Sequence, residues 1–443
     1  MANRSERKLF ETLNKRIGDK TADLVALTTA LIRIPTINPP GDAYVPCAEL
    51  IGNRLAKRGF QVEYMRAVDT PGDSDKFPRT NIMARIEGKG PGPTVHFNSH
   101  IDVVEVGHGW TVDPFGGEVK DGKVYGRGAC DMKGGLAASI IAVEAYLEAN
   151  PDFYGAIEIS GTVDEESGGF GGVAYLASKG LFSKPRVDHV IIPEPLNKDR
   201  VCLGHRGVWW AEIETFGTQA HGSMPFLGDS AIRHMSSVLN QFETELYPQL
   251  AEKRTEMPVV PEGAKQSTMN INSIHGGESE GGGHGKPENY TGLPSPNVAE
   301  SCRVILDRRF LIEEDISTVK REVVDILEKL KRDRESFDYA VRDIMEVLPT
   351  MTERDAPVVN AVSDGIRQVL GKEPDYVISP GTYDQKHIAR IGHMHDCIAY
   401  GPGILDLAHM ADEYVGIEDM VASAKVMAQA IHALLTGVNE RQL

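Results

Sequence analysis

His100 and Asp102 stand two residues apart at the end of a mostly apolar run, in the segment FNSHIDVVEVGHGW. In an extended strand, residues two apart face the same side, so an imidazole and a carboxylate would project together. A metal-bound imidazole usually donates its other N–H to a carboxylate, which fixes its tautomer and orientation. The pair therefore suits a metal ligand with its orienting acid. A satisfied structural His–Asp pair explains the same spacing and, on these two residues alone, is the more ordinary explanation.

Further acids and a late histidine recur in similar settings. Asp131 lies in GRGACDMKGG, after a strand-like stretch and before LAASIIAVEAYLEA, whose spacing and composition are helical. The alternating run AIEISGTVDEESGG ends in Asp164-Glu165-Glu166, DHVIIPEPL ends in Glu194 between two prolines, and AYGPGILDLAHMADEYV carries His409 just ahead of Asp412 and Glu413. A solvated acidic turn accounts for any one of these alone. Together they place an acid or a His at one strand end after another, and open α/β sheets carry their chemistry at the carboxyl ends of strands.

The elements that must position these residues follow from periodicity. Residues 5–34 read as one or two amphipathic helices closed by IPTINPPGD, helical spacing resumes at 48–58, and strands follow near 61–65 and 81–86. Between 95 and 203, strands and helices alternate, which predicts a largely parallel sheet. After Gly204 the order changes. GVWWAEIETFGT, a helix over 229–252, MNINSI, CRVILDRRF, a helix over 317–332 and SFDYAVRDIMEVL give β-α-β-β-α-β, the ferredoxin-like arrangement. An α+β domain over 205–349 is thus expected inside a sheet domain made of 1–204 and 350–443, whose last helices fall at 358–370 and 416–435. The stretch HGGESEGGGHGKPENYTG reads as a hairpin loop. Its GGGHGK is not a phosphate loop, because Glu280 replaces the first Gly and Pro287 the Ser/Thr.

Composition narrows the function classes. A formal net charge of −17 disfavours nucleic-acid and anionic-membrane partners, which select basic surfaces. Five scattered cysteines without a Cys-x-x-Cys pair argue for reduced thiols in a cytoplasmic setting, and against a disulfide scaffold or a thiolate zinc site. The first residues carry no apolar signal-peptide core, and no stretch reaches membrane-spanning length. No G-x-S-x-G stands at a strand-to-helix turn, the match GESEG at 277–281 falling in the Gly-rich hairpin stretch, which disfavours a serine hydrolase.

SHIDVV, GRGACDMKGG, TVDEESGG, PEP and AHMADEYV, with IPTINPPGD near the start and GTYDQK near the end, occur in the order and context of the M20 metallopeptidases. The chain resembles that family over nearly its whole length. Its members include acetylornithine deacetylase, succinyl-diaminopimelate desuccinylase, aminoacylases and glutamate carboxypeptidases. The resemblance implies an α/β fold: an α/β/α zinc-peptidase-like catalytic domain with an inserted α+β lid that also forms a homodimer. It implies two zinc ions, one held by His100, Asp131 and Glu194 and the other by Asp131, Glu166 and His409, with a cis peptide bond after the bridging Asp131. Cobalt or manganese would suit the same nitrogen and oxygen donors.

By the same resemblance, Glu165 is the general base and Asp102 orients His100. His221 in GTQAHGSMP matches a His that reaches a neighbouring subunit's active site and stabilises the oxyanion. Asn272, Arg309, Thr382 and Lys386 match substrate-binding positions. Arg309 could instead pair with Asp307. Lys386 stands where an Arg is common, and the two differ in their grip on a planar carboxylate. The Gly-rich insertion after Gly277 is longer than in many relatives. The expected activity is hydrolysis of an N-acyl amino acid or related small carboxylate, in the manner of a deacetylase or desuccinylase. An exopeptidase is the alternative within the family, and a non-catalytic metal-bound binding protein the remote one.

Overall fold

The computed structural model of the protein describes residues 4–277 and 296–437. Most of the Gly-rich stretch expected as a hairpin loop, from residue 278 on, lies outside the described residues. The chain forms two compact units: Met1–Gly204 with Met351–Val377 and Tyr383–Leu443, and His205–Thr350 with Ile378–Thr382. The short return Ile378–Thr382 was not separated by the sequence reading. It joins the second unit through main-chain hydrogen bonds, Ile378 N to Pro258 O and Val260 N to Ile378 O, and through the Arg206 guanidinium donating to Pro380 O.

In the first unit, sheet order runs Gln61–Arg66, Thr80–Glu87, Ala156–Thr162, Thr94–His100, His189–Ile192, Cys397–Ala399 and on to Arg200–His205, which is antiparallel to Cys397–Ala399. From Ala156–Thr162 to Cys397–Ala399 the strands are parallel, while Gln61–Arg66 pairs antiparallel with Thr80–Glu87, and Thr80–Glu87 antiparallel with Ala156–Thr162. The sheet is therefore mixed rather than largely parallel. Parallel neighbours need a long crossover, whereas antiparallel ones can be joined by turns. The link from Arg66 to Thr80 is such a turn-rich connection without a helix. Thr94–His100 and Ala156–Thr162 are buried at every residue, so both faces of the sheet centre are covered. The helix Gly134–Ala149 is buried along its first thirteen residues and packs against Ile417–Thr436. Its apolar residues lie all round rather than on one face, as in a helix inside a core.

The second unit has a four-stranded antiparallel sheet in the order Thr268–Gly276, Ser301–Phe310, Gly207–Phe216, Asp338–Val347. Ser301–Phe310 alternates half-buried and buried residues along its length, as a strand with one covered face must. Its buried side chains Val304, Leu306 and Phe310 meet Met235, Val238 and Phe242 from one helical segment and Val319, Val323 and Leu327 from Ile316–Asp333. Asp315 caps that last helix, its carboxylate accepting from the Ser317 and Thr318 amides. Among the described residues, no helix is long and apolar enough to cross a membrane.

Candidate active site

Adjacent parallel strands end side by side. His100 closes Thr94–His100 in register with Thr162 at the end of Ala156–Thr162, and His189–Ile192 stops two residues before Glu194. Because the strand ends at His100, Asp102 lies beyond it, and the imidazole meets a different part of that residue than the strand spacing suggests. His100 Nδ1 is 3.0 Å from the main-chain oxygen of Asp102 and 3.6 Å from its carboxylate. With Nδ1–H donated to that carbonyl, Nε2 keeps the lone pair a metal takes. The Asp102 carboxylate is instead occupied by the next strand's loop. It accepts from the main-chain amides of Glu165 and Glu166 at 3.2 and 3.1 Å and from Asn38 Nδ2 at 2.9 Å.

Asp131 sits in the turn Ala129–Lys133 that opens the buried helix, and its peptide bond to Met132 is cis. Glu413 fixes this turn. Its Oε1 accepts from the amides of Cys130 and Asp131 at 2.8 and 3.1 Å, and its Oε2 from Arg127 Nη1 at 2.7 Å. The two oxygens of Asp131 face different partners. Oδ1 is 3.0 Å from His100 Nε2 and Oδ2 is 3.5 Å from His409 Nε2. His100 Nε2 also lies 3.9 Å from Glu194 Oε1, and His409 Nε2 lies 3.1 Å from Glu166 Oε2. Each triad, His100–Asp131–Glu194 and Asp131–Glu166–His409, offers one ligand atom per residue within 4.8 Å of the others.

The donor set fits zinc or another dication of similar preference. Two donors at zinc bond lengths and a tetrahedral angle stand roughly 3.4 Å apart, inside the range of separations given above. Charge points the same way. Burial and then the negative charge of Asp131 push Glu166 up to about 7 and raise Glu194 well above the usual carboxylate range. The hydrogen bonds it donates to Asp131 and Glu166 raise His409 to about 10. Three acids converging on two imidazoles leave an excess of buried negative charge, which a dication offsets.

Glu165, next to Glu166 in sequence, has its carboxylate paired with a lysine. Its Oε1 accepts from Lys386 Nζ at 2.7 Å, the two side chains being only 11% and 3% exposed. Burial opposes the charged ammonium of Lys386, but Glu165 and Asp384 outweigh it and raise its pKa.

Residues 96–433 match peptidase family M20/M25/M40, more than half of the chain. The chain belongs to that family. Three solved structures share the fold: human carnosine dipeptidase 1 (19% identity, TM-score 0.75, covering 97% of this chain and 99% of that one), the dipeptidase Dug1p of Saccharomyces cerevisiae (16%, 0.74, 96% and 98%), and the M20 metallo-carboxypeptidase Sso-CP2 of Sulfolobus solfataricus (19%, 0.73, 94% and 99%). This M20 chain is accordingly a metal-dependent hydrolase.

The remaining sequence-selected residues of this M20 member lie in its second unit or at that unit's return segment. His221 is exposed, and its Nδ1 accepts from the Ser223 amide at 3.1 Å. Asn272 is the extra residue of a bulge in Thr268–Gly276, where pairing with Ser301–Phe310 slips between Ile271 and Ser273. Bulges re-aim side chains. Arg309 is held by Asp307 through two contacts, Nε–Oδ1 at 2.6 Å and Nη2–Oδ2 at 3.0 Å. Thr382, half-buried, ends the return segment. Four further residues had no assigned role: Asn38 behind Asp102, Glu413 and Arg127 behind Asp131, and Asp384, which accepts from Asn98 Nδ2 at 2.8 Å. All four stand inside the motifs of the sequence, IPTINPPGD, AHMADEYV, GRGACDMKGG and GTYDQK. Nothing in their local sequence named their partners.

Proposed function

We propose that this M20 hydrolase cleaves the amide bond of an N-acyl amino acid or a related small carboxylate, using two metal ions. The observation that carries the reading is the split of Asp131, one oxygen toward each triad. His100, Asp131 and Glu194 would hold one ion, and Asp131, Glu166 and His409 the other. When bound, such ions supply Lewis acidity toward a carbonyl oxygen and lower the pKa of a shared water. Glu165 takes the proton of the attacking water at its carboxylate and returns it to the leaving nitrogen. Asp102, accepting from the Glu165 and Glu166 amides, holds both residues of that loop in place. In the second unit, the proposed lid and dimerisation domain, His221 would donate to the oxyanion in the partner subunit's site. Asn272, Arg309 and Thr382 would contact substrate. Cleavage of dipeptides or of a C-terminal residue is the second reading, favoured by the dipeptidases and the carboxypeptidase that share the fold.

The test is a panel of N-acetyl, N-succinyl and N-formyl amino acids run beside dipeptides on the zinc-, cobalt- and manganese-loaded protein. The higher kcat/KM is expected on an N-acyl amino acid, and a higher value on dipeptides transfers the protein to the second reading. Full amide hydrolysis by a Glu165→Ala variant would refute the mechanism under either.

A further inference from the structure

We propose that Lys386 is a positioning residue that aims the carboxylate of Glu165, rather than a contact for the substrate's carboxylate; this rests on Glu165 being the base. The Lys386 ammonium donates to Glu165 Oε1 at 2.7 Å, and both side chains are largely shut off from solvent. A buried ammonium already bonded to a buried carboxylate is poorly placed to grip an incoming one, because releasing it would leave Glu165 unpaired at a desolvated site.

The backbone around Lys386 is anchored independently of any ligand. Gln385, 1% exposed, donates from Nε2 to Leu203 O at 3.2 Å, Thr352 Oγ1 at 3.0 Å and Cys397 O at 2.9 Å. On the other side of it in sequence, Asp384 accepts from Asn98 at 2.8 Å and Thr162 at 3.3 Å, at the ends of the two central strands. Lys386 is thus delivered from the fixed start of the helix Gln385–Arg390. Glu165 is held at both ends, its amide by Asp102 at 3.2 Å and its carboxylate by Lys386.

The chemistry also accounts for a Lys here. An ammonium is a point donor that engages one oxygen, leaving Glu165 Oε2 to take a proton. A guanidinium fork tends to bind both carboxylate oxygens and would occupy the base.

The test is a double-mutant cycle on the metal-loaded protein, using Lys386→Met, Lys386→Gln, Glu165→Gln and the combined Lys386→Met/Glu165→Gln, assayed on the best substrate of the panel. Lys386→Met and Lys386→Gln are expected to lower kcat by roughly 100-fold, the lower end of what a positioned base contributes, with KM changed less than threefold. In the Glu165→Gln background, Lys386→Met is expected to cost no further kcat, because its only route to the reaction has gone. A residue that merely supports the fold would cost the same in both backgrounds, and that result overturns the proposal. A tenfold or greater rise in KM at unchanged kcat makes Lys386 a substrate anchor and overturns it too. Lys386→Arg is expected to fall well short of wild-type kcat. Wild-type kcat in Glu165→Gln would instead break the base assignment itself, which separates failure of the mechanism from failure of this inference.

Discussion

At the scale of single residues, the candidate site depends on acids that touch no ligand atom. Glu413 is fully buried, accepts from the Cys130 and Asp131 amides and neutralises Arg127, which is 2% exposed. Glu413→Gln replaces one acceptor oxygen with an NH2 group that faces either Arg127 or the two amide donors. Breaking a buried ion pair from one side costs about 3–5 kcal/mol, and losing a residue that orients a ligand weakens metal binding by about 10–100-fold. Denaturant midpoint and metal content after dialysis should both fall, and a variant that keeps both would remove Glu413 from the support of Asp131. This role was not legible beforehand for a definite reason. His409 and Glu413 stand in one motif, but the amides that Glu413 serves lie 283 and 282 positions earlier, and only the folded chain brings them together. Glu165, the proposed general base, illustrates the same limit. The pattern Asp164-Glu165-Glu166 marks an acidic strand end, whereas the partner of Glu165 is 221 residues away.

At the scale of elements, periodicity carried most of what it could. The alternation in CRVILDRRF and the helical spacing of LAASIIAVEAYLEA correspond to Ser301–Phe310 and Gly134–Ala149 almost residue for residue, because burial on one side or on all sides leaves a direct trace in residue type. Strand direction leaves no such trace, which is why the antiparallel pair Gln61–Arg66 and Thr80–Glu87 was not foreseen. Close approach between elements is also silent, except through glycine. A Cβ built on Gly135 would stand 1.9 Å from Pro193 O. The first turn of the buried helix therefore lies against the loop that presents Glu194, and only hydrogen fits between them. Gly135→Ala must push that loop aside. We expect a loss of about 1–3 kcal/mol, the usual cost of overpacking, together with weaker retention of one metal equivalent. Gly18→Ala, which meets nothing within 4 Å and sits in the helix Arg4–Asp19, is the control and should unfold at or above the wild-type midpoint. Equal stability and metal content in the two variants would show that the Gly135 contact yields without consequence.

At the scale of the whole molecule, the two triads join distant parts of the chain. His100, Asp131, Glu166, Glu194 and His409 come from the ends of three central strands, the head of the buried helix and a turn near the end of the described residues. A cation held by either triad ties together segments that an unfolded chain keeps far apart. Its binding free energy becomes folding free energy, because that donor set does not persist once the chain unfolds. Binding to the native state alone stabilises by about 2.7 kcal/mol at a free ion concentration one hundred times Kd. For a unit of this size that amounts to several degrees in the unfolding midpoint. Burial and then the negative charge of Asp131 raise both Glu166, to about 7, and Glu194, and relief of that charge excess by a cation acts in the same direction. Removing metal with a chelator should therefore lower the midpoint followed by scanning calorimetry, and adding back zinc, cobalt or manganese should restore it. The gain is expected to level off only after a second equivalent. Asp131→Asn, which weakens both triads at once, should abolish most of the metal-dependent gain, whereas Glu194→Gln should remove the part due to one ion. If the wild-type midpoint ignores the chelator, or if Asp131→Asn still gains stability from two equivalents, the ions do not bind where the split carboxylate of Asp131 would hold them.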